Sequence, residues 1–243
     1  MRAMILCAGY GTRLESLTEA IPKPMLPLAG RPMLEYIVAN LARSGFGEVA
    51  VNLHFLPEII RTYFGDGAAF GVRLHYSHEP ELLGTAGGVK RMEDFLSRDG
   101  CFLVHYGDVL TDQDFSAMLR FHRAKDALGT LLLHRRAYSN SVVEVDELGR
   151  ITLFLERPAE EEKRGLEEAW VNSGVYILSR EIFRHIPEGF ADLPKDVFPT
   201  LAKEGRLFGF PLAGYRCAVD SPKRYAEAQE AVLGGACRIL PGK

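Results

Sequence analysis

Four side chains, Arg13, Lys23, Asp108 and Asp220, are of the types that handle phosphate and a divalent cation, and each stands where the chain is about to turn. Arg13 follows Gly9-Tyr10-Gly11-Thr12, which ends the apolar run Met4-Ile5-Leu6-Cys7-Ala8. That run is apolar on both alternate sets of positions and reads as a buried strand. Glycine permits positive φ and a close backbone approach to a ligand. Arg13 adds a fork of donors suited to phosphate oxygens, and Lys23, between Pro22 and Pro24, adds a point charge on a stiffened segment. The ligand so predicted is a polyphosphate.

Two common phosphate motifs are incomplete here. A dinucleotide fingerprint needs a third glycine where this chain has Leu14, which weakens a nicotinamide-dependent dehydrogenase reading. A P-loop needs Gly-Lys-Ser/Thr at a fixed spacing after Gly9, and none follows. The carboxylates come later. Asp108 follows Gly107 at the end of the apolar strand Cys101 to Tyr106, and Asp220 follows the strand Tyr215 to Val219 and precedes Ser221-Pro222. Alone, Asp108 reads better as a capping or turn residue than as a metal ligand, and Asp220 poses the same question as part of an ordinary helix start. As a pair at strand ends they can bind Mg²⁺ through oxygen, leaving places for water and phosphate.

The elements that must position these groups alternate. Arg31 to Ser44 carries Leu34, Ile37, Val38 and Leu41 at helical spacing and closes at Gly45 and Gly47. Glu48 to Leu53 and Val72 to Tyr76 read as strands, with a helix over Pro57 to Phe64 between them. Gly84-Thr85-Ala86-Gly87-Gly88 leads into a helix before Cys101. This predicts an α/β fold, a Rossmann-like doubly wound and mainly parallel sheet with helices on both faces and ligands at the carboxyl ends of its strands. The rhythm then changes. Strands at Leu128 to Arg135, Val142 to Val145, Ile151 to Phe154, Trp170 to Leu178 and Arg206 to Leu212 predict a smaller mixed or antiparallel sheet. One continuous domain over 1–235 is expected, with a tail at 236–243.

Composition narrows the partners. A 243-residue chain of 27.0 kDa can bury a sizeable core, and its net charge of −3 provides no basic field for nucleic acid. An anionic substrate must then be held by a few placed cations. No apolar run approaches a membrane span and Met4 to Ala8 is already strand, so a cytoplasmic protein without leader or membrane contact is expected. Cys7, Cys101, Cys217 and Cys237 are too far apart for a zinc or redox pair and read as small core residues. His54, His75, His78, His105 and His134 form no metal spacing, although His105 adjoins the Gly-Asp strand end. Phe115 and Phe121 read as a helix packing face, and the charged run Glu160 to Glu168 as a solvated loop or helix. Oligomeric state has no sequence signal here.

Over almost its whole length, from Met1 to about Leu233, the chain resembles the sugar-1-phosphate nucleotidyltransferases. The matching pieces are GYGTRL at 9–14, PKPMLPLAGRPML at 22–34, LGTAGG at 83–88, GD at 107–108, ERP at 156–158, VNSGVY at 171–176 and DSPKRYAEA at 220–228. The fold implied is the GT-A-like nucleotidyltransferase fold. The resemblance implies that Gly9, Gly11, Thr12 and Arg13 hold a triphosphate, that Lys23 contacts the reacting phosphates, and that Asp108 and Asp220 share Mg²⁺. Arg13, Lys23 and Asp108 become the catalytic residues. Leu6, Ala8, Gly84 and Gly87 would border the nucleobase, while Glu156, Arg157 and Asn172 would bind the sugar phosphate beside Gly174, in a sugar-binding part mainly over 128–220. The family's usual Glu-Lys-Pro is here Glu156-Arg157-Pro158, and Asp220 stands two residues before Pro222, as in some cytidylyltransferases.

The reaction implied is attack by a sugar 1-phosphate oxygen on the α-phosphorus of a nucleoside triphosphate, with pyrophosphate leaving. The form Leu83-Gly84-Thr85-Ala86-Gly87 resembles guanylyltransferases acting on mannose or heptose 1-phosphates, and Glu81 and Leu82 stand where uridylyl and thymidylyl members tend to carry a glutamine. GTP is therefore the expected nucleotide, with uridylyl, thymidylyl or cytidylyl transfer as the alternative. A non-catalytic, nucleotide-sugar-binding regulatory subunit is a further alternative, and it should lack Arg13, Lys23 or Asp108. The trailing acyltransferase or left-handed helix domain of some relatives is not expected, because the chain stops soon after Leu233.

Overall fold

The structure, a computed structural model, describes residues 1–137, 140–159 and 168–239, except for the side chains of Thr12, Glu15 and Ser16. The charged run Glu160 to Glu168 lies outside these residues but for its last member. Contacts gather into two compact units. The first comprises Met1–Leu82, Val104–Ser116 and the chain from Ala213 onward, and the second Leu83–Leu103 and Ala117–Leu212. Neither is continuous in sequence.

In the first unit Arg2–Leu6 pairs in parallel with Glu48–Leu53, which pairs in parallel with Arg73–His78. Ala3, Met4, Ile5, Val49, Ala50 and Val51 have no exposed surface, the double-sided burial that a parallel sheet requires. The last part of Cys101–Tyr106 lies beside Arg2–Leu6. The helix Met33–Arg43 buries Leu34, Ile37, Val38 and Leu41 and ends before Gly45, at φ +85°. It starts later than the pattern from Arg31 suggests. Pro32 holds an extended conformation (ψ 140°), and Arg31–Pro32 pairs with Pro27–Leu28 instead.

A second, short ribbon of the first unit does most to place the carboxylates. Val109–Thr111 pairs antiparallel with Arg216–Ala218, setting Ala218 opposite Val109 and Arg216 opposite Thr111. Ser221 then caps the helix Pro222–Leu233 by accepting from Arg224 N at 3.3 Å, with Pro222 in the first turn. In the stretch expected as a tail, Cys237 and Ile239 are buried and Arg238 N donates to Asp112 Oδ2 at 2.9 Å. Residues 240–243 lie outside the described chain.

The second unit is mainly antiparallel, as the changed rhythm predicts. Gly129–Arg136 pairs antiparallel with Ala169–Ser179 and parallel with Leu207–Pro211, and Ser141–Val145 pairs antiparallel with Ile151–Glu156. The ladder of Ala169–Ser179 shifts register between Asn172 and Tyr176, around Gly174 at φ +78°. A bulge of this kind re-aims side chains out of the regular pleat. No helix among the described residues is long and apolar enough to cross a membrane.

Candidate active site

Three local constraints assemble the charged cluster of the first unit. The first is Gly11. Its φ of +70° lies in the left-handed region, and a Cβ there would stand 3.1 Å from Lys23 Cβ and 3.3 Å from Thr18 Cγ2. Glycine therefore lets the turn close down on the lysine segment. Thr18 Oγ1 and Leu14 N both donate to Gly11 O at 3.0 Å and hold it there.

Gly107 is the second constraint. A Cβ on it would lie 2.7 Å from both Cys7 Sγ and Leu6 O, so only glycine permits the short bond from Gly107 N to Leu6 O at 2.9 Å. Asp108 is thereby drawn beside the end of the first strand. The ribbon is the third: Val219 N donates to Asp108 O at 2.8 Å, one step beyond the Ala218–Val109 pair, which brings Asp220 to the same ribbon end.

The resulting contacts pair each cation with a carboxylate. Lys23 Nζ donates to Asp108 Oδ2 at 2.6 Å, with the lysine side chain 11% exposed and the aspartate 28%. Removing one partner of such a largely buried pair costs about 3–5 kcal/mol, because the other charge is left stranded. Arg13 Nη1 lies 3.7 Å from Asp220 Oδ2, with the arginine 69% exposed. An exposed pair at that distance contributes about 0–1 kcal/mol. Arg13 can therefore exchange Asp220 for a phosphate oxygen at little cost, whereas Lys23 is fixed.

Asp108 and Asp220 also fit a hard cation. Among the described residues no group of three or more His, Cys, Asp or Glu converges, so zinc-type ligation finds no site there. Two part-exposed carboxylates from one ribbon end suit Mg²⁺, which keeps several waters and takes substrate oxygens. His105 does not join them. It is fully buried, its Nδ1 bonds Tyr106 O at 2.8 Å and its ring meets Phe115 edge-on, while Nε2 is buried without a partner among the described residues. Burial pushes its pKa down to about 4, against smaller upward pulls from Tyr106 O and Asp108, so it is a neutral core residue.

Around the turn, Ala8 is buried, Leu6 half-buried, and Gly9 exposed with open space where a Cβ would be. The side chain of Thr12 lies outside what is described. Residues that sequence reasoning passed over brace this edge. Cys7 N donates to Asn52 Oδ1 at 2.7 Å, and Asn52 Nδ2 donates to the buried Glu79 Oε1 at 2.8 Å. A polar Asn52 within the apolar strand Glu48–Leu53 was the available signal.

In the second unit Gly84 and Gly87 have a packing reason of their own. A Cβ on Gly84, at φ +73°, would stand 2.4 Å from Ala191 O, and one on Gly87 2.3 Å from Gly189 O. Ala191 O accepts from Ala86 N at 2.8 Å and Gly87 N at 3.1 Å, and Asp192 Oδ1 accepts from Thr85 N at 3.0 Å and Thr85 Oγ1 at 3.1 Å. The first N–H groups of the helix Gly84–Arg91 are thus already spent on protein acceptors.

Glu156 ends its strand half-buried. Burial pushes it up to about 6, opposed by Arg157 and reinforced by Asp192. Arg157 is exposed at φ +51°, with its N–H on Asn140 O at 2.6 Å. Asn172 Oδ1 accepts from Gly174 N at 3.0 Å and its Nδ2 donates to Tyr176 Oη at 2.8 Å, so the asparagine props the bulge open.

The family model described as nucleotidyl transferase matches residues 2–231. The chain belongs to the nucleotidyl transferase family. A UTP–glucose-1-phosphate uridylyltransferase of Synechocystis is 39% identical over 86% of the chain, and a mannose-1-phosphate guanylyltransferase of Mycobacterium tuberculosis is 33% identical over 96%. The chain spans 57% of the first relative's length and 65% of the second's. The crystal structure of HddC from Yersinia pseudotuberculosis, 23% identical, has the same fold, with a TM-score of 0.80 over 95% of this chain and 99% of that one. Arg13, Lys23, Asp108 and Asp220 of this nucleotidyl transferase all fall inside the matched region.

Proposed function

We propose that this chain is a sugar-1-phosphate nucleotidyltransferase, joining a nucleoside triphosphate to a sugar 1-phosphate and releasing pyrophosphate. The observation that carries the reading is the Lys23–Asp108 pair at 2.6 Å, with Arg13 and Asp220 at the same ribbon end: two cations for phosphates and two carboxylates for a metal. A sugar phosphate oxygen attacks the α-phosphorus, a new P–O bond forms, the bond to the β-phosphate oxygen breaks, and the electron pair leaves with pyrophosphate. Both reactants are anions. Arg13 and Lys23 hold and neutralise the triphosphate, backbone groups of Gly9 and Gly11 meet its oxygens, and no covalent nucleophile is needed. Mg²⁺, held by Asp108 and Asp220, would supply charge neutralisation at the reacting phosphates.

The remaining roles belong to the same proposal. Leu6, Ala8, Gly84 and Gly87 are the residues the family resemblance gives to the base, and Glu156, Arg157, Asn172 and Gly174 those it gives to the sugar phosphate. GTP with a mannose- or heptose-type 1-phosphate is the first pairing, supported by the guanylyltransferase relative that aligns over 96% of the chain. UTP with glucose 1-phosphate is the second, supported by the 39% identical uridylyltransferase. A cytoplasmic setting accompanies these substrates, in keeping with four cysteines that are all free and buried. The test is a coupled pyrophosphate-release screen crossing the five common triphosphates with a panel of sugar 1-phosphates. Release with one pair and Mg²⁺ is expected. Nucleotide-sugar binding with no release from any pair would instead establish the regulatory subunit.

A further inference from the structure

The upstream half of the phosphate turn, Gly9 and Tyr10, is exposed, and none of the described residues fills the space beside Gly9. Gly11 is held from below by Thr18 and Leu14, but these bonds act downstream of Tyr10. Among the described residues the upstream half has one hydrogen bond to the sheet, Tyr10 Oη to His54 Nε2 at 2.7 Å. The rings meet edge to face at 4.8 Å, and Phe55 lies 6.0 Å from Tyr10 on a tilted plane.

His54 is itself oriented. Its Nδ1 lies 2.7 Å from the carbonyl oxygen of Glu79, a group that can only accept, so Nδ1 carries the proton. With the proton on Nδ1, Nε2 offers a lone pair to the Tyr10 hydroxyl, which donates to it. Glu79 is fixed in turn: its N–H donates to Leu53 O at 2.8 Å, and its buried carboxylate accepts from Asn52, whose Oδ1 accepts from Cys7 N. The bonds run from the strand ends through His54 to the turn and back to residue 7.

We propose that His54 is a positioning residue for the nucleotide, holding the Gly9–Arg13 turn in its triphosphate-receiving form through the Tyr10 hydroxyl. A turn with two glycines loses much conformational freedom when it wraps a ligand. A latch made on folding removes that loss from the binding step. The inference rests on the nucleotidyl-transfer reading for the identity of the ligand.

The test measures triphosphate affinity by calorimetry in the full chain, alongside KM for both substrates. Tyr10→Phe, His54→Ala and the double variant are each expected to weaken triphosphate binding about fivefold, the value of one ordinary hydrogen bond. The double variant should be no weaker than either single one, and KM for the sugar phosphate should not move. His54→Gln, whose amide oxygen can take the place of Nε2, should restore most of the affinity. Tyr10→Phe removes only an exposed hydroxyl and should melt as the wild type does. Unchanged affinity in Tyr10→Phe, or effects that multiply in the double variant, overturns the latch while leaving turnover and the family reading intact. Triphosphate binding without turnover in the wild type overturns the proposed reaction and leaves the latch measurable, and absence of triphosphate binding overturns both.

Discussion

Gly11 lies against Lys23: a Cβ on the glycine would stand 3.1 Å from the lysine Cβ, so the Gly9–Arg13 turn and the lysine are packed as one piece. Gly11→Ala should therefore act twice. The left-handed φ of +70° costs an alanine about 1–2 kcal/mol, and relief of the contact must displace Lys23. Urea unfolding should show that loss, and kcat should fall with it. Wild-type values of both would show that the turn and the lysine are independent.

Lys23 and Asp108 should behave as a unit. Lys23→Met removes the charge and keeps most of the chain length, and Asp108→Asn keeps the shape of the carboxylate. Each should lower kcat by about a hundredfold or more, the scale of losing one preorganised charged group. The double variant should be scarcely worse than either, since groups acting together are not additive. Losses that multiply would assign the two residues to separate steps.

Asp220 is tested through the metal. With Asp108 retained, Asp220→Asn should raise the Mg²⁺ concentration needed for half-maximal pyrophosphate release about tenfold or more, since hard cations depend on carboxylate charge. Chelation of divalent ions should abolish release in the wild type. Near-normal Mg²⁺ dependence in Asp220→Asn removes that residue from the metal site.

The charged cluster could be read from the sequence because Arg13 follows a glycine turn, Lys23 stands between two prolines, and Asp108 and Asp220 come at the ends of apolar strands. Gly11 and Gly107 were legible as turn residues, and the structure adds what they avoid: Lys23 Cβ in one case, Cys7 Sγ and Leu6 O in the other. The parallel strands were legible because burial on both faces leaves a continuous apolar run, as at Val49, Ala50 and Val51. His54, Glu79 and Asp192 were not legible. Their partners, Tyr10, Asn52 and Thr85, lie far away in the chain, and no local spacing records a bond between distant strand ends. Gly84 and Gly87 were assigned to the base by resemblance alone, whereas the backbone of residues 189–191 gives them a second reason to be glycine.

That second reason can be measured. Gly84→Ala meets Ala191 O at 2.4 Å in a left-handed backbone, so it should destabilise the protein by about 2 kcal/mol or more in urea unfolding. Asp192→Ala removes the acceptor for Thr85 N and Oγ1 and should cost about 1 kcal/mol, as loss of a helix cap does. Asp192→Asn retains an acceptor oxygen and should cost less. Equal losses for the alanine and asparagine variants would show that charge, not capping, is what Asp192 provides.

Stability should also fall on mild acidification, for a reason located in two buried histidines. Burial pushes His105 and His122 down to about 4, each from an ordinary value of 6.5, with Arg123 adding to the shift at His122. Both are neutral in the folded chain. The unfolded chain takes up protons on them below about pH 6.5, so their contribution is complete above that pH and is lost as pH falls toward 4. The slope is at most about 1.4 kcal/mol per pH unit for each histidine. Glu156 runs the other way: its carboxyl, raised from 4.5 to about 6, loses its contribution as pH rises through that window and partly offsets the trend. His105→Leu separates the terms. Among the described residues Nε2 of His105 has no partner, so an apolar replacement forfeits only the Nδ1 bond to Tyr106 O and should cost about 1 kcal/mol at pH 7, while flattening the dependence between pH 6.5 and 4.5. The same slope in that variant as in the wild type would rule out His105 as a source of acid sensitivity.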